Sequence, residues 1–306
     1  MIIFLLVYMA DTYPYVKKIV YTFHVPAFLV ISGYVSNVSK VLPKFLRDLY
    51  YFFLPYMLME FLYICMVGLL PTREPTIEMS FPVVIRHIVL SPIGPYWYLH
   101  TLFICYGAYY FCFRCPCIFD TSSSIILLAI TLYILSLLHL VNYSNVVYYI
   151  AGVSIRQSEI PFMKFFTQTW LIVVMLLLLC IERENLERSS IGGLAITYSA
   201  ISSLLLIHGK LPSACRDVGY YIGCNTLVIL LFSPIFTFIS KLYLPLFAFD
   251  PSGFLFTLIT VFITISGSLV IAHFCDILHL SRIVFGKDKV LATSYHKIHP
   301  SKTGLS

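Results

Sequence analysis

Apolar runs separated by short polar or proline-bearing breaks recur along the whole chain, and none alternates residue by residue as a half-buried strand would. Several runs approach the roughly 20 residues that carry a helix across a bilayer. Backbone groups in lipid must be paired within their own segment, so the predicted fold class is all-α, a polytopic transmembrane helical bundle. Ten spans are expected, at about 1–10, 22–37, 49–70, 96–113, 123–141, 146–155, 165–181, 191–207, 220–240 and 254–278. Two are short. The span at 146–155 is expected to be a half-helix or the end of a broken one, tolerable only when buried in protein. The first ends at Asp11, cannot cross alone, and lacks the basic lead of a signal peptide, so a truncated or degenerate N-terminus is expected. With no internal repeat or low-complexity linker, residues 1–280 read as one integral membrane domain and 281–306 as a basic cytoplasmic tail.

Composition agrees: 59% of the 306 residues are hydrophobic and 11% charged, against roughly 25% charged in soluble domains. The net charge of +6 does not suggest a nucleic-acid partner; its distribution says more. Lys and Arg number 13 in the loops 40–48, 114–122, 156–164, 208–219 and the C-terminal tail, but 7 in the loops on the other side. Basic residues mark the cytoplasmic face, which predicts a multi-pass protein of the cell membrane with both termini in the cytoplasm. The nine cysteines fall mostly inside apolar runs, as do Cys65, Cys105 and Cys180, where they act as small hydrophobes. Cys112, Cys115 and Cys117 form a C-x-x-C-x-C cluster around Pro116, yet nothing nearby completes four ligands, so no metal is expected.

One stretch organises the rest: Tyr21 to Tyr34, reading YTFHVPAFLVISGY. Pro26 two residues after His24 suggests a first helical turn, which would put His24 at a helix N-terminus near the membrane surface. Ser32 and Gly33 offer a small-residue spot for close approach of a neighbouring helix. The stretch resembles the FHMPLFFFISGY signature of the membrane acyltransferase 3 family, in its fucose 4-O-acetylase-like branch, through Phe23, His24, Pro26, Phe28, Ser32, Gly33 and Tyr34. Further segments resemble that family in the same order: LPY at Leu54, PYWYLHTLFICY at Pro95, YYIAGVSIRQ at Tyr148, GCNTLVILLFSP at Gly223 and SRIVFGK at Ser281. The departures fall at chemically active positions. Ala10 and Asp11 stand where the family carries Gly-His, and Ser233 stands where it carries a histidine.

The resemblance implies transfer of an acetyl or other acyl group from acyl-CoA, with acetyl-CoA as donor, to a hydroxyl of a sugar or surface polysaccharide. Such transfer needs a base for the hydroxyl proton and donors for the tetrahedral oxyanion. Histidine suits the first task, with an ordinary pKa of about 6.5. His24 and Asp11 are therefore the catalytic candidates. His87, His100, His139, Asn142 and Asn145 are expected at the same outer face, where Trp97 and Tyr98 would give a sugar an apolar stacking surface. Glu60, mid-span in MLMEFLY, is a candidate because a carboxylate at that depth is costly. Asn225 is expected to hydrogen-bond between helices or to substrate. Lys40, Lys44 and Arg47 are placed to attract the phosphates of acyl-CoA, or to anchor the helix end. The run IERENLER at Ile181 reads as a solvated loop. Competing readings are a catalytically degenerate member of the family and a glycan transporter or exporter; the latter would show repeated halves, and none is visible.

Overall fold

The computed structural model describes residues 13–69, 80–114 and 120–292, and every regular element among them is helical. Six stretches are long and apolar enough to cross a membrane by length and composition: Pro14–Val35, Leu42–Val67, Phe81–Arg114, Ile191–Lys210, Thr226–Phe247 and Phe254–Ile277. Thr121–Leu137 and Trp170–Ile181 are apolar but shorter. The expected count of ten draws on such shorter helices and on 1–10, which lies outside the described residues. Many large side chains face outward, among them Leu171, Leu242 and Phe262. In a bilayer such surface meets hydrocarbon.

The described residues from Pro14 to Leu206 form one compact unit. It contains α1 (Pro14–Val35), α2 (Leu42–Leu69), α3 (Phe81–Val89), α4 (Trp97–Arg114), α5 (Thr121–Leu137), α6 (Tyr143–Gln157), α7 (Trp170–Ile181) and most of α8 (Ile191–Lys210). Its centre is the α1–α6 pair. A Cβ on Gly33 would lie 2.3 Å from the Tyr149 carbonyl oxygen, and one on Gly152 would lie 2.0 Å from that of Val30. Only two glycines let the backbones approach so closely. The Ser36 and Tyr149 hydroxyls add a 3.1 Å bond. α6 is one unbroken helix of 15 residues, shorter than a full span, and Val146, Tyr148, Tyr149, Val153 and Ile155 are all buried, as a short helix in lipid requires.

Three expectations are corrected. The stretch 11–21 is not a loop throughout, because α1 begins at Pro14, which suits a first turn. His24 and Pro26 therefore lie mid-helix. Pro26 has no N–H for the Thr22 carbonyl, and Thr197 Oγ1 from α8 reaches that oxygen at 3.4 Å. The loop 71–95 contains helix α3, begun by Pro82 after Ser80. The span at 220–240 is divided at Asn225 into two helices.

These two helices belong to the second unit, Ile207 to Ala292 among the described residues. It holds α9 (Ser213–Cys224), α10 (Thr226–Tyr243), α11 (Phe254–Ile277) and α12 (Leu280–Val284). Pro234 inside α10 frees the Leu230 carbonyl, and the Ser233 hydroxyl donates to it at 3.1 Å. α10 packs on α11, joined by Tyr243 Oη to Thr260 Oγ1 at 3.1 Å. The Asp276 carboxylate accepts the N–H groups of Val290 and Leu291 at 2.8 and 3.2 Å, which fastens the segment after α12.

Candidate functional site

The helices of the first unit bring their connections together at two ends. At one end the Arg114 guanidinium donates to the Ser39 carbonyl at 3.1 Å, and Tyr110 Oη donates to that of Lys40 at 3.0 Å. Lys44 and Arg47 are exposed on the first turns of α2. Lys40 Nζ pairs with Asp48 Oδ2 at 2.7 Å, and this bond raises the lysine's pKa. The three residues expected to meet a polyanion thus share one end, with Lys40 already engaged.

The other end holds a cavity of about 320 Å³ between the α3–α4 connection, the α5–α6 turn and the segment before α8. Trp97, His100, His139, Asn142, Asn145 and Arg188 line it. Five of these six were expected at one face from the sequence, and the fold does gather them. Each is placed by a local cause. Asn142 is the N-cap of α6, its Oδ1 accepting from the Ser144 N–H at 2.9 Å. His139 turns the chain after α5 in the left-handed region, at φ 59°. His100 is buried on α4 and its Nε2 donates to the Val89 carbonyl at 2.8 Å. That bond fixes the tautomer and leaves Nδ1 as an acceptor when the ring is neutral. Asn145, 4% exposed, has an Oδ1 with no hydrogen-bond partner among the described residues.

Arg188 is the residue the sequence reading missed. IERENLER is not simply a solvated loop: Leu186 is 3% exposed and draws the segment onto the bundle, while Thr22 Oγ1 donates to the Leu186 carbonyl at 2.9 Å. One apolar residue among charges was the available signal. Arg188 Nε then donates to the Tyr21 carbonyl at 3.0 Å, its guanidinium lies over the Tyr21 ring, and its own carbonyl accepts from Tyr148 Oη at 2.7 Å. Burial pulls the guanidinium below its usual pKa, and among the described residues no carboxylate lines the cavity to offset that. The group stays charged regardless.

His24 does not line the cavity but stands next to its support. It is three residues beyond Tyr21 on the same face of α1, and the Tyr21 carbonyl is what holds Arg188. Its ring meets Phe28 edge-on at 5.1 Å, Phe28 meets Tyr98, and Tyr98 meets Trp97, an aromatic chain leading to the cavity wall. The Tyr98 and Ser32 hydroxyls lie 3.1 Å apart. Asp11 lies outside the described residues.

Glu60 sits behind the wall rather than in it. It is fully buried on α2, and Oε1 accepts the Ile93 N–H at 2.6 Å, whereas Oε2 has no partner among the described residues. Tyr56 Oη donates to the Ile88 carbonyl at 2.7 Å. Gly94, at φ 62°, leaves room for the Tyr63 ring, which a Cβ there would meet at 2.3 Å. Side chains of α2 and α4 therefore grip the 88–94 connection at successive points. His87 caps the same connection, its Nδ1 2.9 Å from the Ser91 carbonyl, without lining the cavity.

Asn225 lies in the second unit. Its Nδ2 donates to the Tyr221 carbonyl at 2.9 Å and its Oδ1 accepts the Ala292 N–H at 3.0 Å, so both ends of the amide are engaged. Among the described residues no group of three or more His, Cys, Asp or Glu is arranged to hold a metal ion.

A family model described as an acyltransferase domain matches residues 1–273. No curated protein and no solved structure matches the chain.

Proposed function

This chain belongs to the acyltransferase 3 family and is a membrane acyltransferase, and on that premise we propose that it moves an acetyl group from acetyl-CoA to a sugar hydroxyl held in the Arg188 cavity. The observation that carries this reading is the cavity itself: a polar, sugar-sized recess walled in part by Trp97 and braced by the bond from Arg188 to Tyr21, one turn before His24 on α1. At about 320 Å³ it lies in the range of small-ligand sites, roughly 300–1,000 Å³. Trp97 gives the sugar ring an apolar face, and Asn145 Oδ1 accepts one of its hydroxyls.

A hydroxyl of the bound sugar reaches past the cavity wall to His24, which, with Asp11 orienting it, takes the hydroxyl proton. The oxygen adds to the thioester carbonyl, the tetrahedral oxyanion collapses, and the CoA thiolate leaves and takes up the proton. His100, with its Nε2–H committed to Val89, orients the acceptor through Nδ1. The donor approaches from the opposite, cytoplasmic end, where Lys40, Lys44 and Arg47 attract its phosphates.

Membranes supplied with labelled acetyl-CoA and a panel of sugars test the reading. Wild type should form an alkali-labile acetyl ester. Asn145→Leu, which removes a buried acceptor without breaking a bond of Oδ1, should raise KM for the sugar and leave KM for acetyl-CoA unchanged. Equal KM values for the sugar in both proteins would remove the cavity from the acceptor site.

A further inference from the structure

Arg188 is a half-buried cation in a cavity wall that contains no acidic residue among the described residues. One of its nitrogens is committed to the Tyr21 carbonyl, and among the described residues no carboxylate pairs with the guanidinium. The acidic residues of its own segment, Glu182, Glu184 and Glu187, are exposed and do not line the cavity. A charge drawn out of water without a counterion is costly, and guanidinium geometry matches carboxylate or phosphate oxygens in pairs. A second unsatisfied group belongs to a residue lining the same space: Asn145, more than nine-tenths buried, has an Oδ1 without a partner among the described residues, and that atom can only accept. A ligand that satisfies both carries an anionic group and a hydroxyl within one small ring. Neutral sugars satisfy only the second.

We propose that the cavity selects an acidic sugar, one bearing a carboxylate or a phosphate, with its anionic group on the Arg188 guanidinium and a hydroxyl on Asn145 Oδ1. This deepens the acceptor-site reading above and rests on it. The segment before α8 then sets the class of acceptor, while the α4 and α6 residues hold the ring.

Trp97 and Trp170 are the two tryptophans of the chain, so a Trp170→Phe background leaves Trp97 in the cavity wall as the only indole. Its fluorescence in detergent reads binding without any acyl donor. The probes are glucuronate, glucose 6-phosphate, glucose and inorganic phosphate. A charge-assisted hydrogen bond makes at least one acidic sugar roughly 10–100-fold tighter than glucose. The preference should shrink as salt rises, vanish in Arg188→Gln and persist in Arg188→Lys, which keeps the charge should the glutamine variant fold poorly. A preference for glucuronate over glucose 6-phosphate, or the reverse, identifies the anion. Glucose binding as tightly as both acidic sugars, or an acid preference that survives in folded Arg188→Gln, overturns the proposal. Inorganic phosphate binding as tightly as either acidic sugar also overturns it, because the ring would then contribute nothing. Acetyl transfer to a neutral sugar, with no acid preference, would sustain the acyltransfer reading while sinking this one.

Discussion

Replacing Gly152 by alanine adds one methyl group where two helices touch backbone to backbone. The new Cβ would stand 2.0 Å from the Val30 carbonyl oxygen, against 3.4 Å for the start of ordinary contact. The atom it meets is main chain, so no side chain can swing away. α1 and α6 must separate by the difference, about 1.4 Å, or one helix must bend. Overpacking of this kind costs about 1–3 kcal/mol. The α1–α6 bond between Ser36 and Tyr149, at 3.1 Å, is stretched as well. For a unit of this size each kcal/mol moves Tm by roughly 2–4 °C. The assay is a thermal melt in detergent with a dye that fluoresces on reacting with buried thiols. Cys105, fully buried between these helices' neighbours, reports opening once the other eight cysteines are changed to serine. Gly107→Ala on α4 is the control, since its Cβ would meet nothing within 4 Å. There alanine should be neutral or stabilising by up to about 1 kcal/mol, the helix-propensity difference. Gly152→Ala melting at the same temperature as Gly107→Ala would refute the close-packed pair.

Further outcomes follow from the same contacts. Glu60→Leu should speed hydrogen exchange across residues 88–94, because the Ile93 N–H loses its acceptor; Glu60→Gln, which keeps a carbonyl there, should stay near wild type. Thr197→Val should lower stability by about 1 kcal/mol, the usual worth of one hydrogen bond, read in the same melt against a Ser36→Ala reference. Changing Lys40, Lys44 and Arg47 together to Gln should weaken acetyl-CoA binding and flatten its salt dependence; unchanged affinity would leave them as anchors of the helix end. A reporter fused after Ser306 should be active only when it folds in the cytoplasm, and activity outside would invert the two ends of the bundle.

Much of this arrangement was legible in the sequence, for physical reasons. Apolar run length gave α4, α5, α6 and α8 to within a few residues, because span length in lipid is set by thickness, while α2 begins seven residues before its expected start and α3 had no expected counterpart. Gly33 in VISGY marked the close contact correctly, and the loop alternation placed Trp97, His100, His139, Asn142 and Asn145 together. Two kinds of feature escaped. Pro26 was read as a helix start, since proline in water breaks helices; here a hydroxyl from another helix supports the freed carbonyl, a partner no local pattern reveals. Arg188 was hidden because a charged run looks solvated, and only the tertiary contact of Leu186 turns it inward. Glu60 stood out by its depth, but its bond to Ile93 comes from a connection whose path depends on α3.

The measurement closest to the central claim is the rate of labelled acetyl transfer from acetyl-CoA to sugar in membranes carrying wild type or His24→Ala at equal abundance. Loss of a positioned base costs about 10²–10⁴-fold. Wild type should transfer label, and His24→Ala should fall by that factor with its melting temperature unchanged. Asp11→Asn should lose activity in part, and Asp11→His should retain or raise it. Undiminished transfer by His24→Ala would contradict the account.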